Sequence, residues 1–242
     1  FRRVLFRSLA DSPSLSDWEK EEALAFAAQQ GFPVRVIRTR ELELRDYRAN
    51  GLDRCLHCKT ELFGFMESIA IEEGFESLLY GGNLSDRSDH RPGADAARKF
   101  RVRAPLEEAG FVKEDIRHLA RARGLSVWDR PARACLASRI PHFEEVTEGK
   151  LRQVANAERI LRDRGFRDFR VRHHGDLARV ELGADEWKRL VDPQLRMTVA
   201  EGIEKQGFSW VVLDLKPFRS GNLSRIALEP DARGLTIGGE RT

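Results

Sequence analysis

Apolar and polar positions alternate along this chain with two periods, and the switches between them predict its elements. Leu9-Ala10 reads as the end of a buried strand running into Asp11-Ser12-Pro13-Ser14. Ser16-Asp17-Trp18-Glu19 is a capping-box pattern that opens a helix to about Gln30, closed by Gly31. Residues 33–38 are a β-branched run, predicting a strand. A polar connection through Tyr47-Arg48-Ala49-Asn50-Gly51 follows. A helix then opens at Cys55 and Cys58, its apolar Leu62, Phe63, Met66, Ile69 and Ala70 fitting a period of about 3.6. Residues 77–80 predict a short strand ending in Gly81-Gly82-Asn83, and a loop rich in Asp and Arg spans residues 85–92. An amphipathic helix over residues 113–123 is ended by Gly124. Helices alternating with short strands imply an α/β fold with a doubly wound parallel sheet. Ligands of such sheets bind at the carboxyl ends of the strands, where both Asp11-Ser12 and Gly81-Gly82-Asn83 fall.

The pattern changes after Pro141. A charged helix over residues 148–164 precedes a strand from Phe166 to Arg172, a turn at His173-His174-Gly175-Asp176 and a strand over residues 178–182. Residues 185–206 are mostly helical, residues 210–215 form a last strand and Phe218-Arg219-Ser220-Gly221-Asn222 a last loop. These make a smaller C-terminal α+β domain. Residues 229–242 hold little apolar content and read as a flexible tail.

Composition narrows the function classes. The 242 residues, 41% hydrophobic, suffice for one large or two small domains. No apolar run approaches the roughly 20 residues of a membrane span, and no signal-peptide pattern is present. Three cysteines argue against a disulfide framework and for a reducing, cytoplasmic setting. The first eight residues, Phe1-Arg2-Arg3-Val4-Leu5-Phe6-Arg7-Ser8, read as a translated sequencing-library adapter. Setting aside their three arginines lowers the basic count from 42 to 39, equal to the 39 acidic residues. The +3 formal charge is then no argument for a nucleic-acid partner.

The chemistry centres on Cys55, Cys58 and Cys135. A C-x-x-C pair alone suits zinc, redox or cluster roles. Zinc wants four ligands, and His57, inside the pair, is a poor fourth. A cubane iron–sulfur cluster held by three thiolates keeps one iron open, which suits sulfur chemistry. Alternatively, Cys135 is a small buried hydrophobe and the pair incidental. Arg170 and Arg172 alternate on a strand and face one side. With Arg139 and Arg219 they would suit a multiply anionic small molecule; otherwise they are a solvated face paired with acids. Glu158, in an Arg/Glu-rich helix, reads by default as a surface charge. Adjacent His173 and His174 point apart on an extended chain, so they do not share a metal. Asp86, Asp89 and Arg91 lie in a loop after a strand end, placed for nucleotide or Mg²⁺ contacts or simply polar.

Six segments together resemble one family. They are residues 10–15 (Ala10-Asp11-Ser12-Pro13-Ser14-Leu15), residues 54–59 around the cysteine pair, Gly81-Gly82-Asn83, residues 131–141 around Cys135, residues 170–179, and Phe218-Arg219-Ser220-Gly221. In order over residues 9–228, these resemble the LarE family of ATP-dependent sulfur transferases, in the PP-loop ATP pyrophosphatase superfamily. The resemblance implies a partial PP-loop domain over residues 9–143 and a substrate domain over residues 144–228. It implies ATP and Mg²⁺ as cofactors, Asp11, Ser12, Gly82, Asn83 and Asp89 on the nucleotide side, and Arg139, Glu158, Arg170, Arg172 and Arg219 around a small anionic pyridinium mononucleotide.

In the family, ATP adenylylates a substrate carboxylate and a sulfur nucleophile displaces AMP. In one branch the sulfur comes from the cysteine matching Cys135. In the other, three cysteines hold a [4Fe-4S] cluster, and Cys55, Cys58 and Cys135 place this chain there. A homo-oligomer is expected. The family's Ser-Gly-Gly-x-Asp-Ser phosphate loop is missing upstream of Ala10, so truncation and an inactive chain are expected. The alternatives are a PP-loop tRNA thiolase, which would want a basic face, and a zinc-stabilised binding module.

Overall fold

The computed structural model describes residues 7–88, 92–131 and 133–218. It is a mixed α/β protein of two compact units. The first holds the chain up to Ala49 and Asp53–Cys135, the second Asn50–Leu52 and the chain from Leu136. Among the described residues no helix is long and apolar enough to cross a membrane.

In the first unit, β1 (Arg7–Asp11) pairs in parallel with β2 (Val34–Arg38), from Arg7 opposite Val34 to Asp11 opposite Arg38. The strand therefore begins inside the segment set aside as foreign, and it is half-buried rather than buried, with β2 its one sheet partner among the described residues. Between them runs α1 (Asp17–Gln29). The hydroxyl of Ser16 donates to Glu19 Oε2 at 2.8 Å and caps no backbone group, so the expected capping box forms only between side chains. Gly31 closes the helix at φ +67°, a conformation that favours glycine.

After a short helix α2 (Arg45–Arg48), α3 (Arg54–Glu73) is the longest element. Its inner face packs Phe63 with Ala96, Ala97 and Val102. The two alanines belong to α4 (Gly93–Lys99), which forms beyond the end of the expected loop because Gly-Ala-Asp-Ala-Ala is rich in the strongest helix former. The expected strand at residues 77–80 reduces to one parallel bridge, Leu79 with Arg103. Two glycines follow at once, and a residue without a side chain adds nothing to a pleated surface. The short α5 (Pro105–Glu108) leads into α6 (Lys113–Ala122), as the amphipathic pattern predicts.

The second unit is built on α7 (Glu148–Asp163), β3 (Phe169–His174), β4 (Leu177–Leu182), α8 (Pro193–Glu204) and β5 (Trp210–Leu213). β3 and β4 are antiparallel, with Gly175 turning between them at φ +61°, and β5 joins β4 in parallel. His173 and His174 thus end a strand rather than form a turn; their pairing with Ala178 and Leu177 continues the ladder until glycine allows the reversal. Pro193 and the Asp192 cap, whose carboxylate accepts from Gln194 N at 2.9 Å, start α8 and split the expected helix. One sheet face, Phe169, Val171, Ala178, Val180 and Leu182, packs on Ala157, Leu161, Val199, Ile203 and Phe208. The other face alternates with it and carries Arg170, Arg172, His174, Arg179 and Glu181.

Asn50 is a peg of this second unit. It is fully buried at φ +56°, and its amide donates to the carbonyls of Pro141 at 2.7 Å and Glu144 at 2.9 Å. Its own carbonyl accepts from Phe143 N at 3.0 Å.

Candidate functional site

The polar face of the second unit's sheet is not solvated. Arg139, Glu158, Arg170, Arg172 and Glu181 are each no more than 5% exposed. Arg139, at the end of the 3-10 turn Leu136–Arg139, donates through Nε and Nη2 to Glu158 Oε1 and Oε2 at 2.8 and 3.0 Å. Glu158 Oε1 also accepts from Val171 N at 3.1 Å. The surface-charge reading of Glu158 is therefore overturned: its position on α7 faces the sheet, and a bidentate guanidinium plus a backbone amide replace water. Arg172 donates through Nε to Glu181 Oε2 at 2.9 Å and through Nη1 to Ser138 O at 2.8 Å. Glu181 Oε1 lies 3.3 Å from Arg179 Nη1. Arg170 lies under the Phe218 ring, 4.4 Å from its centroid.

Three guanidiniums thus share a buried region with two carboxylates. Burial first, then the charge of Arg139, pushes Arg170 down to about 10, while Glu158 and Asp168 pull it back. Arg172 is lowered by burial too, against the pull of Glu181. The convergence of Arg139, Arg170 and Arg172, which spacing cannot show, is present. Arg219 lies outside the described residues.

The thiols belong to the first unit. Cys55 and Cys58 sit three apart on the first turn of α3, on neighbouring positions of one face. Burial, then the charge of Glu41, then that of Cys135, push the Cys58 thiol up to about 12. Cys55 is exposed as a residue, yet desolvation around its sulfur and the charge of Cys135 raise it, while Arg54 lowers it. Arg54 itself is buried, which works against its charge, yet Cys135, Cys55 and Tyr47 more than offset this. Tyr47, also buried, is raised chiefly by burial and then by Cys135. The three thiols therefore lie within one another's electrostatic reach, and the buried Arg54 within reach of Cys55 and Cys135.

Among the described residues no three His, Cys, Asp or Glu side chains form a ready metal-ligand set. His57 is engaged with Asp53 at 3.1 Å, a local pairing within its own helix turn.

Of the positions expected on the nucleotide side, Asp11 and Ser12 stand at the carboxyl end of β1, while Gly82 and Asn83 follow only the single Leu79–Arg103 bridge. Asp11, the last residue of β1, pairs with Lys20 at 2.7 Å. The Ser12 hydroxyl donates to Glu41, and Ser14 shares a hydrogen bond with the Tyr47 hydroxyl. Gly82 lies where a Cβ would meet the Tyr80 ring at 2.7 Å, so the close approach requires glycine. Asn83 N and Nδ2 both donate to Asp86 Oδ2 at 3.1 Å, which ties Asp86 into a turn. Asp89 and Arg91 lie outside the described residues.

No family model matches the chain. It is, however, 37% identical to an uncharacterized protein of Synechocystis sp., across 90% of this chain and 81% of that one. It is 32% identical to the pyridinium-3,5-bisthiocarboxylic acid mononucleotide synthase of Lactiplantibacillus plantarum, across 89% of this chain and 78% of the relative. An uncharacterized protein of Methanocaldococcus jannaschii matches at 23% across 86% of this chain.

The chain belongs to the LarE family. It is a family of sulfur-transferring enzymes, and the alternation of Arg170 and Arg172 that carries part of the resemblance is the centre of the buried cluster. Three residues around these LarE segments were not singled out by sequence reasoning. Glu181 was legible in principle, because Arg179 and Glu181 alternate on the strand expected to pair with the arginine strand. Arg54 immediately precedes the cysteine pair. Glu41 carried no signal; it is 1% exposed in the 3-10 turn Glu41–Glu43, and its Oε2 has no hydrogen-bond partner among the described residues.

The histidines give a pH dependence. His173 hydrogen-bonds Gln153 at 3.1 Å and meets the Phe208 ring edge-on, and burial lowers its pKa. His174 accepts from Arg179 Nε at 3.2 Å, which requires the neutral ring, and burial followed by Arg179 lowers it. Both folded values lie below the ordinary 6.5, so between the folded and unfolded values the unfolded chain binds more protons. The stability contribution is complete above 6.5 and is lost as pH falls below it. The urea midpoint of this unit should drop between about pH 7.5 and about pH 5.5. A His173→Gln/His174→Asn variant keeping the full slope would count against this.

Proposed function

We propose that the reaction to which this chain's residues belong is sulfuration of the carboxylates of pyridinium-3,5-biscarboxylic acid mononucleotide, with ATP as activator, in the assembly of a nickel-pincer cofactor. The observation that carries the reading is the buried guanidinium set of Arg139, Arg170 and Arg172, which outnumbers its buried carboxylates. A phosphate or carboxylate would restore the charge balance that burial disturbs at Arg170. The family relation to a pyridinium-3,5-bisthiocarboxylic acid mononucleotide synthase supplies the chemical identity.

On this reading the first unit is a PP-loop nucleotide domain with a doubly wound sheet. Asp11, Ser12, Gly82 and Asn83 flank Mg²⁺-ATP, supported by the place of Ser12 at a strand's carboxyl end. A substrate carboxylate oxygen attacks the α-phosphorus of ATP, and pyrophosphate leaves. A sulfur nucleophile then attacks the acyl carbon, and AMP leaves with the electron pair of the broken C–O bond. Arg139, Arg170 and Arg172, with Arg219 by resemblance, hold the mononucleotide's anionic groups; Glu158 and Glu181 hold the guanidiniums.

Cys55, Cys58 and Cys135 would hold a [4Fe-4S] cluster, which when bound supplies a position where sulfide is held and replaced. Arg54 beside Cys55 is the cation that favours the deprotonated form of that thiol.

Arg172→Ala should weaken binding of the mononucleotide about tenfold to a hundredfold, the range for losing charge-assisted hydrogen bonds. Titration calorimetry with the mononucleotide and, separately, with ATP checks this. Equal losses for both ligands, or none, would remove the arginine set as the substrate site.

A further inference from the structure

Residues 133–135 form no regular secondary structure, so the position of Cys135 depends on side-chain attachments. The strap leading to it is pinned twice within the first unit. At its start, Arg117 of α6 donates to Arg130 O at 2.9 Å, and Arg121 lies over the Trp128 ring at 4.8 Å. Nearer the cysteine, Arg133 lies over the ring of Trp18 of α1, its Cζ 4.4 Å from the ring centroid, and its Nη1 donates to Glu22 Oε2 at 3.1 Å. Arg130 Nη1 reaches the same oxygen at 3.2 Å, and Glu19 stands 4.0 Å from Arg133 Nε. Trp18 is 3% exposed, so the ring that receives Arg133 is a fixed part of the core. Glu19 is in turn held by Ser16. The helix face that carries Trp18, Glu19 and Glu22 is thus shaped to take a guanidinium: a flat ring beneath, carboxylates at its edge.

We infer that Arg133 is a positioning residue, a latch that seats on Trp18 and Glu22 of α1 and thereby sets where the Cys135 thiol stands. Arg133 is two residues from the cysteine, so the seat of its side chain restricts the backbone that carries Cys135. A latch made of one cation–ring contact and half-buried ion pairs holds firmly at low salt and loosens as salt screens the ion pairs. The inference deepens the reading of Cys135 as the sulfur-bearing position, and its test needs neither substrate nor ATP nor cluster.

The experiment is site-resolved alkylation of the native chain by iodoacetamide, followed by mass spectrometry at each cysteine across a salt series. Cys135 is exposed and open to the reagent throughout; with the latch intact its alkylation rate should shift as salt rises, while Cys55 and Cys58 respond little. Arg133→Ala should change the Cys135 rate about tenfold at low salt, the effect of losing one ring contact and one ion pair, and flatten its salt dependence. Arg133→Lys, which keeps the charge and the ring contact, should recover part of the difference. Glu22→Gln, a partly exposed and isosteric change that leaves the fold intact, should reproduce the flattened salt response. A Cys135 rate unchanged in Arg133→Ala and Glu22→Gln, or an equal change at all three cysteines, would overturn the latch. If turnover assays fail while the selective salt response persists, the latch stands and only the assigned reaction falls.

Discussion

Glu158→Ala should destabilise the second unit by about 3–5 kcal/mol, the cost of breaking a buried ion pair from one side. Glu158 receives both forks of Arg139 and the amide of Val171, and both side chains of the pair are 2% exposed. Removing the carboxylate strands Arg139 in the same buried region as Arg170 and Arg172, which already depress one another's charge. It also opens a hole on α7 against β3. Urea unfolding, with hydrogen exchange of the β3 amides to locate the loss, measures it. The decisive control is the double replacement Glu158→Leu/Arg139→Met. Because desolvation of a buried pair is itself costly, the apolar pair should be less destabilised than either single variant. It should nevertheless bind the mononucleotide poorly. A loss below about 1 kcal/mol in Glu158→Ala would show that the pair is hydrated and that the buried cluster does not act as a unit.

Cys55→Ser should reduce the iron and acid-labile sulfide held after anaerobic reconstitution to background. The argument rests on number and on electrostatics. Three thiols lie within one another's reach, and two of them are raised by burial and by their neighbours. A metal centre held there would have to displace those protons, and the charge it would bring is what would make three neighbouring thiolates tolerable. With one removed, two thiolates do not hold a cubane. Cys58→Ser and Cys135→Ser should behave alike, while His57→Ala, whose partner is Asp53, should retain the iron. Iron and sulfide unchanged in Cys55→Ser would sink the three-thiolate assignment. Zinc in place of iron in the parent chain would turn attention to Cys135 as the sulfur source, detectable as loss of the elements of H₂S from that residue after turnover.

Local order and chemical inventory were legible in the residues themselves. The 3.6-residue pattern of α3, the β-branched run of β2 and the strand–turn–strand rhythm of β3 and β4 depend on neighbours in sequence, and they stand within a few residues of expectation. Two of the errors have one origin. Residues 77–80 look like a strand but find only a single bridge, and Glu158 looks like a surface charge but meets a guanidinium 19 residues earlier in the chain. In both cases the deciding partner is remote.

The sequence by itself determined that three thiols and an alternating pair of arginines exist in a chain with elements of both kinds, and its segments pointed to the LarE family. Only the tertiary structure decided that Arg139 joins Arg170 and Arg172 in a buried cluster held by Glu158 and Glu181, and that Arg54 and Tyr47 share the field of the cysteines. The physical reason is that periodicity reports which side of an element a residue faces, whereas burial and charge balance depend on what the opposing element brings.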